Sequence, residues 1–264
     1  MVEQLILVFD MYFKTFYLIF FLIIVGHCKQ SSPKYPSLNT FIDGQLSWQK
    51  KLYFDRINEF KRNPINFNKI VFLGNSITQG GGDWSKKFNT ENIVNRGISG
   101  DYTNGVLMRL GEIIHYKPIA VFIMIGVNEF WNDNRDKPHL TPEYVAGNII
   151  NICKKIKESS SSTKIFIQTI LPVNNEQYLN VKKVDYNFLK PHYSPTVNEQ
   201  INQTNTILKN NKEFEVVDLH PLFLNNESIL DSSLSSDGIH INNNGYQIWV
   251  EAINTIIKNL NRQA

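Results

Sequence analysis

The stretch Ile70-Val-Phe-Leu-Gly-Asn-Ser-Ile-Thr-Gln-Gly80 decides how this chain is organised. A short apolar run opens it, and the apolar pattern stops at Gly74-Asn-Ser76. This pattern predicts a buried strand that ends in a tight turn and presents a serine at the start of a helix. Open α/β folds place reactive groups at the carboxyl edge of the sheet, so Ser76 is a candidate nucleophile. A serine in this place also often only caps a helix, whereas a phosphate loop is excluded because no Gly-Lys-Ser/Thr follows.

Apolar runs and helical patterns alternate along the rest of the chain. The runs are Ile70–Leu73, Asn92–Asn95, Ala120–Ile125, Lys164–Ile170 and Phe214–Leu219. The helical stripes are Tyr53, Ile57 and Phe60; Val106, Leu110 and Ile113; Val145, Ile149, Ile152 and Ile156; Val197, Ile201, Thr204 and Leu208; and Tyr246, Trp249, Ile253, Ile256 and Leu260. The alternation predicts an α/β fold over residues 46–264, a three-layer α/β/α arrangement around a five-stranded, mainly parallel sheet.

The N-terminus has the pattern of a secretion signal. An uninterrupted apolar run, Phe16–Val25, follows Lys14, and it is shorter than the roughly 20 residues that span a bilayer. Residues 1–28 are therefore predicted to be a signal peptide, and Met11 is an alternative start that gives the short basic front such signals need. The Ser-, Pro- and Asn-containing segment 29–45 is predicted to be a tether.

Cys28 adds a second signal to this segment. Val25-Gly-His-Cys28 resembles a bacterial lipoprotein box, in which the cysteine is lipidated and becomes the mature N-terminus. His27 departs from the small residue expected before that cysteine. We therefore expect an exported protein that is periplasmic, a cell-surface lipoprotein tethered to the membrane, or secreted.

Composition narrows the classes of function. The chain has 264 residues, of which 42% are hydrophobic and 19% charged, and this fits one globular domain with a tail. Its net charge is +3 and the lysines are scattered, so nucleic acid is not an expected partner. The two cysteines, Cys28 and Cys153, indicate no disulfide framework. Cys153 lies on an apolar helical stripe and is predicted to be a core residue.

A serine nucleophile needs a base, and His240 is the first candidate among six histidines. It lies directly before the last helical pattern, and Asp237 comes three residues earlier in Asp237-Gly-Ile-His240. That spacing lets the carboxylate reach Nδ1 of the imidazole while Nε2 faces Ser76. Asp136 and His139 have the same spacing and are the competing pair. Of the other histidines, His115 fits a helix end, His220 a structural loop and His192 a pocket wall.

The developing oxyanion needs hydrogen-bond donors, each worth about 10²–10³ in turnover. Asn95–Tyr102 follows the second strand, and its glycines make the N–H of Gly100 a candidate donor. Ile123–Glu129 follows the third strand, where the side chain of Asn128 is a second candidate. Either residue alone also fits a plain turn or a polar strand end, but their convergence on the same edge favours a site.

Two long stretches interrupt the alternation. Phe130–Leu140 follows the third strand and Val173–Pro195 follows the fourth. Long loops at this edge usually shape a substrate pocket, although a surface insertion is the alternative.

These blocks resemble the SGNH (GDSL-like) hydrolase superfamily over roughly Lys69–Leu260. The resemblance implies a flavodoxin-like sheet, a catalytic triad of Ser76, His240 and Asp237, and an oxyanion hole formed by Gly100, Asn128 and the N–H of Ser76. It implies no metal and no cofactor. Gly-Asn-Ser in place of Gly-Asp-Ser is similar to the branch of sialate O-acetylesterases and platelet-activating-factor acetylhydrolase-like proteins. Glu129 departs from the aspartate that usually follows the asparagine.

The resemblance implies an ester hydrolase that works through an acyl-enzyme on a small-molecule or glycan ester. Export favours O-acetyl groups on glycans, and the side chains of Trp84, Trp131 and Tyr193 are candidates to stack on sugar rings, or else to pack in the core or a lid. The alternatives are an acyltransferase on the same scaffold, a lysophospholipase or arylesterase, and a non-catalytic glycan-binding protein.

Overall fold

The computed structural model describes residues 33–132 and 137–263, and these contain one β-sheet of five strands. The strands are β1 (Ile70–Gly74), β2 (Ile93–Gly97), β3 (Ala120–Met124), β4 (Lys164–Gln168) and β5 (Glu215–Val217). They lie in the order β2-β1-β3-β4-β5, and every neighbouring pair is parallel. The predicted α/β fold is confirmed, and its sheet is entirely parallel.

Helices flank the sheet between these strands. They are α1 (Ser47–Arg62), α2 (Ser76–Gly80), α3 (Trp84–Lys87), α4 (Thr103–Met108), α5 (Gly111–Tyr116), α6 (Pro142–Ser159), α7 (Asn175–Lys182), α8 (Val197–Asn210) and α9 (Asn243–Gln263). Shorter 3-10 turns span Val127–Phe130, Asn187–Leu189, His220–Phe223 and Ser232–Leu234. The predicted stripe from Val106 to Ile113 is split between α4 and α5, because Arg109 leaves helical geometry with φ −116° and ψ 18°.

A stack of aromatic rings fills the core on one face of the sheet. Phe72, Phe122 and Phe166 occupy paired positions of β1, β3 and β4, with neighbouring ring centroids 5.1 and 4.6 Å apart. Trp84 of α3 stacks on Phe72 at 4.4 Å, and Trp249 of α9 meets Trp84 at 4.9 Å. Each buried ring contributes about 1.5–3 kcal/mol. This core therefore fixes the end of β1, where Ser76 follows.

The chain from Lys34 onward packs on the fold, which corrects part of the tether predicted for residues 29–45. Ile42 is buried in a small second core formed mainly by α1. The hydroxyl of Tyr35 donates to the Glu112 carboxylate over 3.0 Å. The polar composition of this segment gave no signal that a few of its apolar residues, such as Ile42, pack on the fold.

The predicted signal peptide and Cys28 lie outside the described residues. Within the part of the chain that the structure describes, no helix combines the length and apolarity needed to cross a membrane. Cys153 is fully buried in α6, as predicted, and burial raises the pKa of its thiol.

Candidate active site

The carboxyl ends of three neighbouring strands bring the predicted blocks together. Ser76 follows β1, Gly100 follows β2 and Asn128 follows β3. Because β1 lies between β2 and β3, this edge is the switch point at which an open parallel sheet forms its crevice. The three residues line one cleft of about 430 Å³, and His240 lies on its wall.

Ser76 is held at the first position of α2 by close packing around the turn. The side chain of Asn75 caps the helix by accepting the N–H of Ile77 over 3.0 Å. A Cβ on Gly74 would lie 2.3 Å from the carbonyl oxygen of Met124 and 2.2 Å from Oγ1 of Thr78, so only glycine fits there. The turn therefore presents the half-buried Ser76 side chain to the cleft in one orientation.

Asp237, His240 and Ser76 form one hydrogen-bonded chain. Nε2 of His240 lies 3.0 Å from Oγ of Ser76, and Nδ1 lies 2.9 Å from Oδ2 of Asp237. The backbone N–H of His240 also donates to Oδ1 of Asp237 over 2.8 Å, which closes the loop. The geometry matches the order nucleophile, base and orienting carboxylate.

The charge on Asp237 is stabilised by two side-chain donors. Burial raises the pKa of this carboxyl, but the hydrogen bonds from His240 and Lys182 outweigh burial and hold the pKa well below its usual range. Nζ of Lys182 lies 2.8 Å from Oδ2 of Asp237. Sequence reasoning missed Lys182, because no spacing in the chain links the end of α7 to the loop of Asp237.

The candidate oxyanion loop is supported from several sides. Gly100 has φ +75°, a conformation that favours glycine, and its carbonyl oxygen accepts Nε2 of Gln49 over 3.2 Å. Oε1 of Gln79, on α2, accepts both the N–H and the hydroxyl of Ser99 at 2.7 and 2.9 Å. Nδ2 of Asn128 donates to the carbonyl oxygen of Asp101 over 2.8 Å. These contacts fix both candidate donors relative to Ser76.

Two buried carboxyls lie beneath this loop. Asp101 forms an ion pair with Arg109 at 2.9 Å, yet burial raises the pKa of Asp101 to about 6. Burial also raises the pKa of Glu129 to about 7, although its Oε1 accepts the N–H of Thr103 over 2.6 Å. Oε2 of Glu129 has no partner among the described residues. Glu129, the departure noted in the third block, thus caps α4 and leaves the side chain of Asn128 at the cleft.

Helix α1 forms a cleft wall that sequence reasoning did not assign. Leu46, Trp48 and Gln49 line the cleft at the start of this helix. A Cβ on Gly100 would lie 3.2 Å from the ring of Trp48, which shows how closely α1 covers the oxyanion loop. The exposed aromatic at the amino end of an otherwise amphipathic helix was the available signal.

The two long stretches supply most of the aromatic lining of the cleft. Trp131 comes from the first stretch and meets Tyr178 edge to face at 4.7 Å. Tyr178 lies on α7, inside the stretch Val173–Pro195, and Tyr186 stacks on Phe188 at 5.5 Å in the same stretch. Both stretches therefore contribute to the cleft, and the second contains a helix rather than only a loop.

Trp84 is a core residue, which corrects its predicted place in the substrate site. It is 1% exposed, it stacks on Phe72, and its Nε1 donates to the carbonyl oxygen of Thr78 over 3.0 Å. An aromatic residue that bonds its only polar atom inside the core has no face left for a ligand. Tyr193 is half-buried in the second stretch but is not among the described residues that line the cleft.

Among the described residues, no histidine other than His240 lines the cleft that contains Ser76. Nε2 of His139 pairs with Asp43 at 2.7 Å on the surface, while its predicted partner Asp136 lies outside the described residues. Nδ1 of His220 lies 2.8 Å from the carbonyl oxygen of Ile170 in a structural turn, and burial lowers the pKa of its imidazole. His115 is exposed in the last turn of α5, and His192 is exposed outside the cleft lining. The described residues include no group of three His, Cys, Asp or Glu able to hold a metal ion.

Comparison with known proteins identifies the family of this chain. The profile of the GDSL-like Lipase/Acylhydrolase family matches residues 72–248, which is two thirds of the chain, and this span contains the five residues predicted for the triad and the oxyanion hole. The chain belongs to this family. The superfamily membership predicted from the sequence is confirmed, and the protein is a carboxylic ester hydrolase.

The family member is similar to several known proteins at low identity. It is 24% identical to the human platelet-activating factor acetylhydrolase IB subunit alpha1 over 198 residues, covering 73% of this chain and 76% of the relative. A GDSL-like lipase from Bacteroides thetaiotaomicron aligns with TM-score 0.63 and 21% identity over 78% of this chain and 97% of its own. An acetylxylan esterase from Geobacillus stearothermophilus aligns with TM-score 0.53 and 20% identity over 72% and 94%. These structures share the fold of the GDSL-like chain.

Proposed function

We propose that this esterase removes short acyl groups, O-acetyl first among them, from glycans through a triad of Ser76, His240 and Asp237. The observation that carries the proposal is the 3.0 Å contact between Oγ of Ser76 and Nε2 of His240 inside the cleft. Asp237 on Nδ1 selects the tautomer that leaves Nε2 able to accept a proton.

The reaction proceeds in two steps. His240 takes the proton of Ser76 as Oγ attacks the ester carbonyl, and the N–H groups of Ser76 and Gly100 with Nδ2 of Asn128 stabilise the oxyanion. The protonated imidazole then gives its proton to the departing alcohol, which leaves an acyl-enzyme. Water, deprotonated by His240, releases the carboxylic acid and restores Ser76.

Two observations support an acetylated glycan as the substrate. The human relative and the Geobacillus structure neighbour are both named for the removal of acetyl groups, one from platelet-activating factor and one from xylan. Trp48, Trp131 and Tyr186 all line the cleft, and aromatic faces of this kind stack on sugar rings.

A fluorophosphonate probe tests the triad directly. Wild type should be labelled at Ser76, and Ser76→Ala should not be labelled although it folds. Absence of labelling in correctly folded wild type would overturn the esterase mechanism.

A substrate panel tests the glycan assignment. Acetylated xylooligosaccharides should be hydrolysed with a higher kcat/KM than lysophospholipids or longer acyl esters. Preference for a lysophospholipid or a simple aryl ester would replace the glycan proposal. Acyl transfer to a sugar without net hydrolysis would identify an acyltransferase, and binding without turnover a glycan-binding protein.

We also propose that the protein is exported, since an O-acetylated glycan substrate fits a location at the cell surface. The proposal rests on the apolar run Phe16–Val25 and on Cys28. Cell fractionation of wild type and Cys28→Ala distinguishes the forms: a lipoprotein leaves the membrane fraction when Cys28 is replaced, whereas a secreted or periplasmic protein is unchanged. Retention of both proteins in the cytoplasm would contradict export.

A further inference from the structure

Lys182 forms an ion pair with the carboxylate that orients the candidate base. Its Nζ lies 2.8 Å from Oδ2 of Asp237, the same oxygen that lies 2.9 Å from Nδ1 of His240. The Asp237 side chain is 7% exposed and that of Lys182 is 42% exposed. The carboxylate thus lies between a surface cation and the imidazole, and both groups interact with the same carboxylate oxygen.

The carboxylate does not need Lys182 to keep its place. Its other oxygen, Oδ1, accepts the backbone N–H groups of His240 and Ile239 over 2.8 and 3.2 Å. The hydroxyl of Ser235 holds the same loop by accepting the N–H of Gly238 over 2.8 Å and donating to the carbonyl oxygen of His240 over 2.9 Å. Removal of the ammonium group should therefore change the charge near the imidazole more than the geometry of the triad.

Helix α7 is fixed against this same loop at its other end. The N–H of Asn174, the capping residue of α7, donates to the carbonyl oxygen of Gly238 over 2.7 Å. Gly238 has φ +90°, and a Cβ there would lie 2.3 Å from the carbonyl oxygen of Asn174. Lys182 is therefore held beside Asp237 by the helix that also places Tyr178 in the cleft.

We propose that Lys182 is a positioning residue that acts through Asp237: its charge opposes protonation of His240 and so keeps the base neutral and active at lower pH. An ionised carboxylate beside an imidazole favours the imidazolium, and a neighbouring ammonium offsets part of that field. The inference rests on the proposed triad. A change in the charge of Lys182 should therefore move the acid limb of the activity profile.

Few other titratable groups line the cleft around His240 among the described residues. They are Lys137 and the phenols of Tyr102, Tyr178 and Tyr186. Nζ of Lys137 is occupied with the carbonyl oxygen of Gly44 at 2.8 Å. Burial raises the pKa of Tyr102, so this phenol stays neutral across the acid limb. Among the described residues, Asp237 is the charged partner hydrogen-bonded to His240, and Lys182 is the cation paired with Asp237.

The test compares the pH dependence of kcat/KM for p-nitrophenyl acetate in four proteins. Lys182→Met should move the midpoint of the acid limb upward by about half a unit to one unit, the effect of one partly screened charge. Lys182→Arg should restore the wild-type midpoint, because it keeps the charge. Lys183→Met removes an exposed neighbouring charge that has no ion pair with Asp237 among the described contacts, and it should leave the midpoint unchanged.

An NMR titration of the His240 imidazole in the same proteins gives a readout that does not require turnover. Its protonation midpoint should rise in Lys182→Met and not in Lys183→Met. Superimposable curves for wild type and Lys182→Met, or equal shifts for both methionine variants, would overturn the role of Lys182. If wild type shows no esterase activity and no labelling at Ser76, the proposed function fails, and the imidazole titration alone decides whether Lys182 acts on His240.

Discussion

Tyr246 of α9 donates its hydroxyl hydrogen to the carbonyl oxygen of Ile77 of α2 over 2.7 Å. This bond joins the helix that follows His240 to the helix that begins with Ser76, although the bonded residues are 169 positions apart in the chain. A Cβ on Gly80 would lie 2.5 Å from the same hydroxyl, so α2 approaches Tyr246 closely. The 3.0 Å contact of His240 with Ser76 is thus supported from behind by a direct link between their two helices.

Loss of this link should weaken catalysis without removing a reacting group. Tyr246→Phe leaves the carbonyl oxygen of Ile77 without its donor, and we expect a cost of about 1–2 kcal/mol in unfolding free energy. Without this bond α2 is held less firmly behind Ser76, so kcat should fall several-fold with KM little changed. Urea unfolding and steady-state kinetics measure the two effects. A variant with wild-type kcat would show that the contact only stabilises the fold.

The choice between the two Asp-x-x-His pairs can be decided by paired variants. His240→Ala removes the group 3.0 Å from Oγ of Ser76 and should reduce kcat for p-nitrophenyl acetate by about 10⁴–10⁶. His139→Ala removes a surface ion pair with Asp43 and a ring contact with Tyr144, both outside the cleft, so its kcat should stay within about twofold of wild type. The reverse ranking of the two variants would exclude His240 as the base.

Asn128 should contribute to the transition state rather than to substrate binding. Asn128→Ala removes one candidate oxyanion donor, so kcat should fall by about 10²–10³ with KM nearly unchanged. Asn132→Ala is the matched control, since it also removes an amide from the cleft lining. Kinetics on an acetyl ester check both. A rise in KM at constant kcat in Asn128→Ala would assign this side chain to substrate binding instead.

Replacement of Trp84 and replacement of Trp131 should have different effects, because Trp84 lies in the core and Trp131 lines the cleft. Trp84→Ala empties a place in the aromatic core and should cost about 3–5 kcal/mol in unfolding free energy. Trp131→Ala removes a half-buried side chain of the cleft wall and should chiefly raise KM for acetylated xylooligosaccharides. Urea denaturation and glycan kinetics measure the two effects, and a Trp131 variant with unchanged KM would argue against sugar stacking there.

Glu129 should make stability depend on pH. Its carboxyl titrates near 4.5 when unfolded, and burial raises its pKa to about 7 in the folded protein. Between these values the native state binds more protons, so this group lowers the stability of wild type as pH rises through that window. The loss is on the order of 3 kcal/mol.

Glu129→Gln has no titrating carboxyl at this position. Its unfolding free energy should therefore rise relative to that of wild type from pH 4.5 to 7, with no further rise above that range. Urea unfolding at several pH values measures the difference between the two proteins. A difference that is constant across the range would show that Glu129 is already ionised in the native state.

Local patterns explain why much of the site was predictable. The apolar run before Ser76 and the three-residue spacing of Asp237 and His240 depend only on neighbours in the chain, and both have the expected geometry here. The parallel sheet then brings Gly100 and Asn128 to the same edge without further information. These features follow from periodicity and topology.

The missed features depend on contacts between distant segments. Lys182 meets Asp237 only after α7 folds back on the loop, and Trp48 covers Gly100 only because α1 lies against the loop that follows β2. The placement of Trp84 in the substrate site was wrong because an aromatic residue gives the same sequence pattern whether it fills a core or lines a cleft. The burial of Ile42 could not be predicted, because a single apolar residue in a polar segment forms no periodic pattern.

Helix α1 precedes the region that defines the family, since the family match begins at residue 72 and α1 ends at Arg62. The shared region supplies Ser76, Asp237 and His240 together with the aromatic lining around Trp131, and a helix upstream of it adds Trp48 to the same cleft. Substrate preference in this family should accordingly be compared on chains that include the helix before the first strand.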